Sequence, residues 1–111
     1  MQWRRSSAAA GPVRFGIAER VEAGERRLRL RGELDLAAVP ELRECVRRAA
    51  TRDGMAILDL ADVEFADVAG LSALTVLARE ARDGGWRLEL RSPSLAVRYV
   101  ARLMGMDQLA S

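Results

Sequence analysis

The apolar residues of this chain change their spacing several times, and those changes restrict it to strands and helices in alternation around one sheet. Val13, Phe15 and Ile17 alternate with Arg14 and Gly16, the period of a strand buried on one side. Glu22-Ala23-Gly24-Glu25 supplies a turn and residues 27–34 resume the alternation, which predicts an antiparallel hairpin. Pro40 stands where the first turn of a helix tolerates it, and Leu42, Cys45, Val46 and Ala49 follow at helical offsets. Met55-Ala56-Ile57-Leu58 has no alternation, as expected of a central strand, here placed over residues 55–60. Leu71, Leu74, Ala78 and Ala81 return to helical spacing, in a helix expected to run from Val68 toward Asp83 and to stop at a left-handed Gly84. Trp86, Leu88 and Leu90 then alternate with charged residues, and Val97, Val100, Ala101 and Met104 share one face of a final helix that Gly105 ends.

The order strand, strand, helix, strand, helix, strand, helix predicts an α/β domain whose later strands are parallel and joined by helical crossovers. A chain of 111 residues suffices for one domain with a modest core. Residues 1–12, in which Trp3, Arg4 and Arg5 precede a small-residue stretch, read as a flexible tail and leave 13–111 as the domain. The paired arginines are not followed by the apolar core of an export signal.

Composition removes several classes of function. Histidine is absent, and with it the usual general base and the commonest metal ligand. The one cysteine, Cys45, cannot form an internal disulfide and sits at a core position with no histidine in the chain to activate it. Asp59, Asp62, Glu64 and Asp67 are close in sequence, but strand-end polarity, a loop and a helix cap account for them without a metal. Gly84-Gly85 follows a helix where a phosphate loop would precede one. The net charge is only +2, and Arg27, Arg29 and Arg31 read as the solvated face of a strand, not a nucleic-acid surface. No apolar run approaches a membrane span. A cytoplasmic protein is expected, with no catalytic residues, no metal and no cofactor.

Phe65-Ala66-Asp67-Val68-Ala69-Gly70-Leu71 places an aspartate, able to cap a helix, between a strand and a helical pattern. This segment resembles the signature of the STAS family, named for sulfate transporters and anti-sigma-factor antagonists, in which aspartate is followed by two hydroxyl residues, glycine and leucine. Residues 28–35, ending Gly32-Glu33-Leu34-Asp35, resemble the family's second strand, and Ser92-Pro93-Ser94 resembles the stretch before its last helix. The likeness covers residues 13–109 in order. It implies a mixed sheet of four or five strands with the helices mainly on one face.

The resemblance also implies a function. Antagonists of this family bind an anti-sigma factor that is itself a serine kinase, and phosphorylation of the first hydroxyl residue after the aspartate makes them let go. That position is Val68 here and the next is Ala69, so the phosphosite is lost and the usual switch is expected to be missing. Ser72, one turn later, is either a displaced acceptor or a serine bonded back along its helix. Val68 is either a partner contact or buried under the preceding loop. The expected partner-binding residues are Asp35, Leu36, Asp67, Val68, Ala69, Gly70, Leu71 and Ser72. Two other readings stand beside an anti-sigma-factor partner: an accessory subunit for the ATPase of a lipid-type ABC transporter, and a ligand-sensing module.

Overall fold

The computed structural model describes residues 3–5, 14–50 and 54–110. Strands β1 (Arg4–Arg5), β2 (Phe15–Glu22), β3 (Glu25–Leu34), β4 (Met55–Ala66) and β5 (Arg87–Arg91) form one sheet in that order. The first three are antiparallel neighbours, whereas β3–β4 and β4–β5 are parallel. Helices α1 (Val39–Ala49) and α2 (Val68–Asp83) make the crossovers, and α3 (Leu95–Leu103) and α4 (Asp107–Ala110) come after β5. This is the α/β order that the hydrophobic spacing predicts, in the mixed sheet that the family resemblance implies.

The helices cover one face. Ile17, Leu28, Leu30, Leu58 and Leu60 meet Leu42 and Val46 of α1, Leu71 and Leu74 of α2, and Val97 of α3, all essentially inaccessible. Cys45 lies in this core, as its helical offset requires. On the other face, Arg27 and Arg29 stand in register with buried Ile57 and Asp59. The long arginine stems can cover apolar surface there while their charges stay in water.

Four details depart from the sequence reading. Strand β4 continues to Ala66, so Asp59, Asp62 and Glu64 lie within a strand, and of the four acidic residues only Asp67 is a cap. The strand outlasts its partner β5, whose register ends at Asp59 and Arg91, and its upper part is therefore half uncovered and polar. At the end of α2, Gly84 keeps φ −86° with its amide still donating to the Glu80 and Ala81 carbonyls. The left-handed residue is Gly85, at φ +84°. Finally, of the segment read as a tail, Arg4 and Arg5 pair with Glu19 and Ala18, and the Trp3 ring lies 4.7 Å and 4.5 Å from the guanidinium carbons of Arg20 and Arg29. The other residues of that segment lie outside the described ones.

Candidate functional site

The site is built where the two central parallel strands end. Leu34 of β3 stands in register with Ala66 of β4, and the Asp67 amide donates to the Leu34 carbonyl at 3.2 Å. Asp35 and Asp67 therefore leave the sheet side by side. Each caps the next element. The Asp35 carboxylate accepts from the Ala38 amide at 3.2 Å and starts a 3-10 turn, Leu36–Ala38. The Asp67 carboxylate accepts from the Gly70 amide at 2.7 Å and starts α2. A carboxylate in this position satisfies one of the amides that a helix start leaves without a partner, and also suits the positive end of the helix dipole.

Gly70 fixes how close α2 comes to the sheet. A Cβ at this position would collide with the Leu34 carbonyl oxygen, so the helix can lie against β3 only because the residue has none. Leu71 then inserts fully into the core. Three of the expected contact residues, Asp67, Gly70 and Leu71, thus hold the helix in place. Val68 is 58% exposed and so is not buried under the preceding loop. Ala69 and Ser72 are half-buried beside it. The Thr75 hydroxyl donates to the Ser72 carbonyl at 2.7 Å and is committed to the helix.

Leu36, 70% exposed, lies at the same end of the sheet beyond the first cap. Phe65, 49% exposed, immediately precedes the second junction and was not singled out from the sequence. The available signal was an aromatic two residues before a capping aspartate, in the last part of a strand, residues 61–66, where Val63 and Ala66 are the buried positions. Leu36 and Val68 are exposed apolar side chains beyond the two caps, whereas Phe65, in register with Glu33, lies on the sheet face away from the helices. Arg14 donates from Nε to Glu33 at 2.7 Å and approaches Asp35 to 3.9 Å. Both are solvent-facing pairs of small energetic weight.

Among the described residues no group of three potential metal ligands converges, and no helix is long and apolar enough to cross a membrane. At the junction the exposed apolar side chains are those of Leu36 and Val68. Neither Val68 nor Ala69 carries a hydroxyl.

The family model described as "Mlab, STAS domain" matches residues 17–111. The unphosphorylated anti-sigma factor antagonist SpoIIAA is similar at 27% identity and a TM-score of 0.62, over 86% of this chain and 84% of that one. An anti-sigma factor antagonist from Mycobacterium paratuberculosis shares the fold at a TM-score of 0.68 and 21% identity, over 90% of this chain and 86% of that one. SLC26A9 contains a similar unit, at a TM-score of 0.65 and 19% identity over 77% of this chain. The chain spans 16% of SLC26A9 and 19% of another longer match, Mglu.

Proposed function

The chain belongs to the STAS family, and on that basis we propose that it is a regulatory binding domain of the anti-sigma-factor-antagonist kind, acting in the cytoplasm without catalysis. Its partner in this reading is an anti-sigma factor of the serine-kinase type, whose capture frees a sigma factor. The observation that carries the reading is Val68: an apolar side chain exposed at the capped, closely packed start of α2, at the position where a family member would carry its phosphoacceptor. Leu36 supplies apolar surface at the same end of the sheet. A phosphate at that position would add about −1.5 to −2 charges next to the Asp67 carboxylate. Valine cannot accept one, so the domain stays in its binding form while the kinase holds ATP.

The substitution Val68→Asp tests the surface. It places a charge at the proposed contact while leaving the cap and the core untouched, and it should weaken binding to the anti-sigma kinase by about 100-fold, the scale of a central interface residue. Unaltered binding by calorimetry would remove α2 from the interface.

In a second reading the domain is the accessory subunit of an ABC-transporter ATPase; the fold itself also occurs as one unit of the longer SLC26A9. Co-purification from cells decides between them by which ATP-binding partner is recovered.

A further inference from the structure

A groove runs between the second half of α2 and the start of α4, beside the edge strand β5, and encloses about 520 Å³. That volume is in the range of small-molecule sites. Helix α2 lines it with Thr75, Ala78, Arg79 and Arg82, whose helical spacing sets them on one side. Its floor is the margin of the core. Ala78, Leu90 of β5 and Met106 are only partly buried against that core, and Leu109 closes the bottom. A methyl side chain at residue 78 and an α4 of four residues leave this margin open.

The charges around the groove do not balance. Arg79 and Arg82 are exposed, and neither makes an ion pair among the described residues. Asp107 is the one acidic residue of the lining, so the two guanidiniums leave a single positive charge in excess. The Thr75 hydroxyl donates to the Ser72 carbonyl, and the side-chain donors facing a ligand are therefore the arginines.

We propose that this groove binds a small amphipathic monoanion, a single-chain carboxylic acid. Its head group pairs with Arg79 and Arg82, whose forked donors match a carboxylate, and its chain lies along Ala78, Leu90 and Met106. The unbranched thioether of Met106 adapts to such a chain. Other ligands fit less well. An inorganic anion leaves the apolar floor unused, and a neutral hydrocarbon leaves both guanidiniums unused. A nucleoside polyphosphate brings several negative charges to an excess of one, and the lining has no aromatic side chain for its base to stack on. Arg79 follows Val68 by eleven residues, about 16 Å along the helix axis, so a ligand here leaves the start of α2 uncovered.

Titration of the full chain with sodium octanoate, followed by two-dimensional NMR of the backbone amides, tests the site. Shifts should saturate with a Kd of about 1 mM, the scale for so small a ligand, and should concentrate in residues 75–82, 88–91 and 104–110. Octanol, which has the same chain without the charge, should bind about 10-fold more weakly. Arg79→Gln with Arg82→Gln should lower octanoate affinity about 10-fold and keep the wild-type melting temperature, since both side chains are exposed. Shifts that fail to saturate, or that spread equally to Leu95, Tyr99 and Leu103, would show partition onto exposed apolar surface and overturn the proposal. Equal affinity for octanol, or undiminished binding by the double variant, would do the same. Membrane lipids offer the same chemistry, an anionic head on an apolar chain, and vesicles of phosphatidylglycerol distinguish the source. The chain should not sediment with them; sedimentation that the double variant abolishes would assign the arginines to a lipid surface and rule out the free acid.

Discussion

The chain leaves β3 at Asp35 and β4 at Asp67 in nearly the same backbone conformation, φ −126° and −116°, and each carboxylate accepts an amide proton three residues on. The two capped elements differ. After Asp35 comes a three-residue 3-10 turn whose first side chain, Leu36, is exposed. After Asp67 comes a sixteen-residue helix held against β3 at Gly70 and anchored in the core at Leu71. The same cap therefore serves a short turn in one place and a long, closely packed helix in the other. A contact residue carried by the second is held in orientation before any partner arrives, which lowers the ordering cost of binding. In the proposed binding function, that is the physical sense in which Val68 would belong to a preformed site and Leu36 to its margin.

The sharpest way to break this distinction is at Gly70. Glycine inside an exposed helix normally costs about 1 kcal/mol relative to alanine, so Gly70→Ala should stabilise α2 if the helix merely rested near the sheet. Because its Cβ would strike the Leu34 backbone, the sign should reverse to a loss of about 2–3 kcal/mol, the scale of an overpacked core, read by urea denaturation. The two caps then give a graded pair. Asp67→Ala should cost about 1 kcal/mol, and Asp35→Ala about 0.5 kcal/mol, since the latter cap orders only a short turn. Equal losses would show that the helix adds nothing to its own cap.

Most of the fold was legible because each buried face has a regular period: Leu42 to Ala49 in α1, and Trp86, Leu88 and Leu90 in and just before β5. The upper half of β4 was not. Once β5 ends, Asp62 and Glu64 no longer need to be apolar, and a polar strand reads like a loop. Phe65 was hidden for the same reason. The pairing of Arg4 and Arg5 with β2 has no period at all, being two residues long. At the site, the Asp67 cap followed from the motif, whereas the exposure of Val68 was left open by it. The role of Gly70 did not follow from it, because the Leu34 carbonyl that excludes a Cβ comes from a strand 36 residues earlier.

The central claim is that the start of α2 binds a partner while lacking the means to be switched off there. It is tested most directly by holding the wild-type chain and Val68→Ser in complex with the anti-sigma kinase, adding ATP, and following radiolabel and release together. The wild type should stay unlabelled and bound, while Val68→Ser should be labelled at residue 68 and leave the complex. Labelling of the wild type, at Ser72 or elsewhere, with release at the same rate, would contradict the account.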